Sequence, residues 1–169
     1  PEAGHQDKHW LGTFSLGYTK MAFEAAEMAK FEKDVQILPA CNHYSHYFGL
    51  RNRMLVKFGT PISLQPYYEL YKTKPRTAQR DVNKLVREQI SSMMLDIRDL
   101  ENYEVVDFIR TTYGEDYAKK QGVDPDNLPE RLLTDNDLVA KLDEAKKLDE
   151  KGINELYQNA RILRQSIEE

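Results

Sequence analysis

Apolar and polar positions alternate with two different periods along this chain, and the change of period divides it. Residues 17–33 carry Met21, Ala22, Ala25, Met28 and Ala29 at three- and four-residue spacing, with Glu24, Glu27 and Lys30 elsewhere. That spacing predicts a helix with one buried stripe. Val35-Gln36-Ile37-Leu38-Pro39-Ala40-Cys41 is short, apolar and nearly continuous, as a strand covered on both faces would be. Pro39 has no backbone donor, so this strand should lie at an edge or end there. Arg53 to Gly59 reads as a second strand, stopped by Gly59-Thr60-Pro61. An aromatic, His-rich connection (42–52) joins the two. Between Pro66 and Pro75 the tyrosines Tyr67, Tyr68 and Tyr71 predict a short helix or irregular segment.

Beyond Pro75 only the helical period remains. Thr77 reads as an N-cap, and Val82, Leu85, Val86, Ile90, Met93, Met94 and Ile97 form a long apolar stripe. Residues 102–120 predict another helix with Val105, Val106, Ile109 and Tyr113 inward. Gly122 stops it and Asp124-Pro125-Asp126 turns the chain. Asp135 or Asp137 reads as the cap of a helix running through Leu148 and beyond, weakened in its middle by Gly152. Ile153, Leu156, Tyr157, Ala160, Leu163 and Ile167 make a closing stripe. The predicted organisation is two strands with a helix in residues 1–75, then helices alone in residues 76–169. Two strands are marginal as a sheet, so the first segment reads as the tail of a larger α/β sheet whose other strands precede Pro1. An edge left open in this way would be covered by helices or by a dimer contact across it.

Composition narrows the classes. The chain has 169 residues, a formal net charge of −4, 40% hydrophobic and 31% charged residues. Ten tyrosines and six phenylalanines spread through it need burial, which argues against disorder. The mildly acidic balance argues against a nucleic-acid partner bound by phosphate neutralisation. One cysteine, Cys41, excludes an internal disulfide. It reads as a buried, inert thiol. The first residues are polar, without the apolar run of a secretory signal, and no stretch is long and apolar enough to span a membrane.

Chemistry concentrates near the start. Pro1-Glu2-Ala3-Gly4-His5 is followed by the helix that opens at Gly17, the Ile37-Leu38-Pro39 run, and Phe58-Gly59-Thr60-Pro61-Ile62. In this order, these pieces resemble the second half of the glycerophosphate and lysophosphatidic acid acyltransferase family, over residues 1–62. Pro1 and Glu2 match its Phe-Pro-Glu-Gly-Thr-Arg motif, with Ala3 at the Gly, Gly4 at the Thr and His5 at the Arg. The resemblance implies the C-terminal part of an α/β acyltransferase sheet followed by an all-helical extension. It implies transfer of a fatty acyl group from coenzyme A or acyl carrier protein to a glycerophosphate hydroxyl, in phospholipid synthesis. No further cofactor is implied. Glu2, His5 and Lys20 would bind substrate; Gly4, Pro39, Gly59 and Pro61 would shape the motifs. The longer protein would work at the cytoplasmic face of a membrane, with this portion itself soluble.

The family's catalytic His-x-x-x-x-Asp pair is absent here. Five residues beyond His5, His9, His43 and His46 stand Trp10, Phe14, Phe48 and Arg51. No catalytic residue is therefore assigned, and the chain alone should be inactive. His5 also departs from the family's Arg, whose charged fork suits phosphate, so Lys8 or Lys20 is expected to help. His5, His9, Asp7, His43 and His46 raise a rival zinc reading. His5–His9 lies in a glycine-bounded loop and His43–His46 lies among aromatics, so no metal is assigned. Leu50-Arg51-Asn52-Arg53 reads as a solvated loop or a contact to acidic headgroups. The run from Asp143 to Lys151 reads as a solvated helix face. A non-enzymatic helical interaction module is the alternative, because most of the chain is helix without visible chemistry.

Overall fold

A computed structural model describes residues 8–45 and 53–168. Pro1, Glu2, Gly4, His5, His46 and the Leu50–Asn52 cluster lie outside the described residues. The chain forms two compact units, Pro1–Met94 and Leu95–Glu169. The division expected at residue 75 falls instead after Met94. The reason is α3 (Pro75–Met93), whose Ala78, Val82, Val86, Ile90 and Met93 are buried in the core shared with Phe23, Leu64 and Tyr68.

The first unit begins with α1 (Gly17–Met28). Its buried face is Thr19, Phe23 and Ala26, while Met21 and Met28 of the expected stripe are 71% and 87% exposed. Ring stacking decides this. Phe23 lies against Tyr71 with centroids 4.4 Å apart and planes 6° from parallel, a burial that no methionine could match in rigidity. Thr19 tolerates burial because its hydroxyl donates to the Leu16 carbonyl at 2.8 Å. The helix ends earlier than expected, as Lys30 and Phe31 take positive φ of 52° and 58°. The Phe31 N–H then closes on the Ala26 carbonyl. Left-handed backbone at non-glycine residues costs about 1 kcal/mol each. Phe31 offsets it by packing on Tyr68, whose hydroxyl donates to the Lys33 carbonyl and accepts from the Val35 N–H.

The first expected strand is broken in two, the second forms as one strand, and a further short strand that was not expected follows Pro61. β1 (Gln36–Ile37) pairs antiparallel with β4 (Ile62–Ser63), and β2 (Ala40–Tyr44) pairs antiparallel with β3 (Met54–Phe58). The registers are Ile37↔Ile62 and Ala40↔Phe58, so two residues on one side face three on the other. The break falls where Pro39 and Pro61 both lack a ladder donor, and the Gly59 N–H bridges it to the Pro39 carbonyl at 2.8 Å. A Cβ at Gly59 would run into the Gln89 side chain of α3. The expectation that residues 35–41 form a strand covered on both faces is overturned: Gln36, Leu38 (53%) and Ala40 are exposed, alternating with half-buried Ile37 and Cys41. A 3-10 turn (Gln65–Tyr67) and α2 (Tyr68–Thr73) fill the Pro66–Pro75 stretch. Lys74, not Thr77, precedes the first turn of α3, with Pro75 at its first position.

The second unit packs α4 (Tyr103–Lys120), α5 (Leu128–Leu148) and α6 (Glu150–Glu168) pairwise into a bundle. Leu95 and Ile97, on the non-helical approach, are 1% and 0% exposed. Gly122 takes φ 74° and ends α4 as expected. Asp124 then closes its turn by accepting from the Asp126 N–H. α5 starts at Leu128, before the expected caps, so Asp135 is a mid-helix residue. Its carboxylate accepts from Arg110 at 3.0 Å and from Arg131 at 2.7 Å. The α5–α6 break falls at Asp149, whose carboxylate accepts from the Gly152 N–H at 2.9 Å. Gly152 is therefore in a first helical turn rather than mid-helix, and a Cβ there would strike the Asp149 carboxylate. On α4, Tyr113 is 38% exposed rather than inward, and Arg110, Gly114 and Tyr117 take the buried face.

Candidate functional site

The first unit holds a cavity of about 410 Å3 lined by Leu16, Gly17, Lys20, Arg76 and Gln79. Two helix starts build it. Leu16 and Gly17 are the cap position and first residue of α1; Arg76 and Gln79 belong to the first turns of α3. Neither helix start has a side-chain cap, and neither first turn carries an acidic residue. Free N–H groups at such ends carry partial positive charge. Tyr18 fixes the two helices together by donating its hydroxyl to Asn83 Oδ1 at 2.7 Å, and burial pushes the Tyr18 phenol up to about 12.

Two cationic side chains stand on this cavity. Lys20 is 64% exposed and, among the described residues, reaches the Glu24 carboxylate at 3.6 Å, one turn along the same helix. Arg76 is exposed and has no ion-pair partner among the described residues. Gln79 is 8% exposed. The cavity wall itself is mostly carbon, as Leu16 and the alkyl stems of Lys20 and Arg76 supply it.

The loop that leads into α1 is tied down beside this region. Arg87 of α3 donates to the Leu11 carbonyl at 2.8 Å and to the Gly12 carbonyl at 3.4 Å. His9 and His43, both 5% exposed, come together with ring centroids 5.8 Å apart. Cys41 is half-buried, and burial pushes its thiol up despite Lys57, so it is a poor nucleophile. No group of three or more His, Cys, Asp or Glu side chains among the described residues is close enough to hold a metal ion. No helix among the described residues is long and apolar enough to cross a membrane.

Of the residues expected to bind substrate, Lys20 is on the cavity, while Glu2 and His5 lie outside the described residues. Of the motif residues, Pro39, Gly59 and Pro61 occupy the ladder break, and Gly4 lies outside the described residues. Sequence reasoning missed Arg76 and Gln79. The one available signal was Pro75, whose preference for the first helical position puts Arg76 in the opening turn of α3.

The chain is similar to acyltransferases. Over 115 residues, 67% of its length, it is 30% identical to an uncharacterised acyltransferase of Schizosaccharomyces pombe, of which it covers 17%. Over 114 residues, again 67% of its length, it is 28% identical to glycerol-3-phosphate O-acyltransferase 2 of Saccharomyces cerevisiae, of which it covers 15%. The chain thus spans less than a fifth of these curated relatives. No protein-family model matches it, and no solved structure does.

Proposed function

We propose that this chain is the C-terminal portion of an acyltransferase that moves a fatty acyl group from an acyl thioester to a hydroxyl of a glycerophosphate. In that reaction the acyl C–S bond breaks, a C–O ester bond forms, and the hydroxyl proton leaves with the thiol. A general base must take that proton. The described residues offer no His-x-x-x-x-Asp pair, so the base belongs to the longer polypeptide. This chain contributes acceptor recognition through Glu2, His5 and Lys20. Its α/β part is the end of a larger sheet, and its helices form an extension.

The observation that carries the reading is the similarity to two acyltransferases over two thirds of the chain. The cavity supports it, because Lys20 stands there with a second cation. Acyl thioester is the co-substrate, and the membrane surface, at its cytoplasmic face, is met by the longer protein. The test is acyl transfer from acyl-coenzyme A to glycerol 3-phosphate by the longer polypeptide, with and without Glu2→Ala. Loss of about tenfold or more in kcat/KM is expected from removing one charge-assisted contact. Unchanged activity removes Glu2 from the site, and absence of transfer by the unaltered enzyme ends the proposal.

A second reading rests on the outer face of α6, where Leu156, Ile162, Leu163 and Ile167 are 44%, 64%, 48% and 65% exposed. A helical interaction module would use such a face. Residues 95–169 expressed alone discriminate: folding with capture of a defined partner favours the module, and a monodisperse, inert bundle does not.

A further inference from the structure

We propose that the outer face of the β2–β3 hairpin docks on an anionic lipid surface, with Leu38, Met54, Val56 and Phe58 entering the interface and Arg53 and Lys57 meeting the headgroups. As a membrane contact of an acyltransferase this face rests on the proposed function; as a lipid-seeking face it rests on the hairpin alone.

Antiparallel register decides which side chains share this face. Met54 lies opposite Tyr44, Val56 opposite Asn42 and Phe58 opposite Ala40, and successive residues of a strand point to opposite sides. Met54, Val56 and Phe58 therefore stand together, 55%, 41% and 66% exposed. Leu38, two residues before β2, is 53% exposed. None of the six residues paired on this face is charged. The opposite side carries Leu55 across from His43 and Lys57 across from Cys41. It turns toward the protein, since His43 is 5% exposed and Leu55, Lys57 and Cys41 are half-buried. A single exposed apolar side chain needs no explanation, but several side by side on one uncharged face mark an interaction surface. The sheet has two strands, so β3 is also an open edge, past which the long stem of Lys57 can carry its ammonium.

Charge selects the occupant. Residues 35–68 contain no Asp or Glu, and Arg51, Arg53 and Lys57 are their only formal charges. All 28 acidic residues of a chain with net charge −4 lie outside this stretch. A segment so cleared of carboxylates suits an anionic surface, which attracts each nearby Lys or Arg and repels each Asp or Glu. A second copy of the chain fits poorly, because its own Arg53 and Lys57 would be brought to the same interface. A protein partner would also have to match the shape of the pleated face, whereas a fluid lipid surface accepts apolar side chains without matching it.

The experiment is flotation of the 169-residue chain with vesicles of phosphatidylcholine alone and of phosphatidylcholine with about one third phosphatidylserine. Saturable binding to the anionic vesicles is expected, with little to the neutral ones and loss at high salt. Phe58→Ser should weaken binding about tenfold. Lys57→Gln should weaken it about fivefold and flatten its salt dependence. Met28→Ser, at an apolar position 87% exposed on α1, should change nothing. A lipid carrying a gadolinium headgroup should broaden the 1H–15N signals of residues 38–44 and 54–58 in the unaltered chain, which keeps the test intact if a variant fails to fold. Absence of binding to the anionic vesicles, equal binding to the neutral ones, or equal weakening by Met28→Ser and Phe58→Ser overturns the inference. So does a dimer that Phe58→Ser dissociates while the unaltered chain ignores vesicles, since the face would then serve a second copy. Vesicle binding by this chain without acyl transfer by the longer polypeptide would defeat the acyltransferase proposal and leave the lipid face standing. Transfer without vesicle binding would do the reverse.

Discussion

The two units treat charge in opposite ways. In the helical bundle, charged groups are spent on one another. Arg110 and Asp135 have side chains 7% and 4% exposed, and Arg131 and Asp107 close the group at 2.7 Å each. Burial would pull the Arg110 guanidinium down, yet the Asp107 and Asp135 carboxylates together hold it above its ordinary value. Asp99 follows the same logic: burial opposes its charge, but Lys146 and Asn102 hydrogen bonds keep its carboxyl below the usual range. In the first unit, Lys20 and Arg76 stand exposed on a cavity, and the Lys20–Glu24 pair is a long contact at 3.6 Å in solvent. Paired, buried charge specifies architecture, whereas exposed charge is solvated and adds little to stability.

Breaking the paired side should have the largest effect. Asp135→Ala leaves Arg110 and Arg131 buried without their carboxylate and should cost about 3–5 kcal/mol. Hydrogen exchange should show this as lost protection in α4 and α5, with α1 and α3 unaffected. A smaller loss, about 1 kcal/mol, is expected from Gly59→Ala, since the added Cβ displaces Gln89 at the ladder break; chemical denaturation measures it.

Acid sharpens the comparison within the first unit. Asp34 accepts from Gln36, Ser63 and the Gln65 N–H, which hold its carboxyl below the ordinary 3.8. A depressed folded pKa stabilises above the unfolded value and is lost as pH falls through the folded one. Amides of β4 and the 3-10 turn should therefore lose protection as the pH drops below about 4, and Asp34→Asn should remove that dependence. The smallest effect belongs to Met28→Gln on α1, which should change stability by less than about 0.5 kcal/mol because Met28 is 87% exposed.

That last expectation runs against a reading of α1 from its methionines, and the reason is general. The spacing of apolar residues located the helix, but two stripes were available, and the choice was made by Phe23 finding Tyr71, which lies far along the chain. The strand positions were legible from Pro39, Gly59 and Pro61, because a missing donor acts locally. Their pairing and exposed face were not, since register depends on the other strand. Asp135 resembled a cap because its true partner, Arg110, is 25 residues away. Lys20 was legible as a candidate, whereas Arg76 and Gln79 acquire meaning only when α3 is laid beside α1.

The most direct measurement is steady-state acyl transfer by the longer polypeptide, comparing wild type with Lys20→Gln as glycerol 3-phosphate is varied. A rise of about tenfold in KM for glycerol 3-phosphate, with kcat nearly unchanged, is the result predicted by the proposal that Lys20 helps to bind the acceptor. An unchanged KM, or a wild-type enzyme that transfers no acyl group to glycerol 3-phosphate, would contradict it.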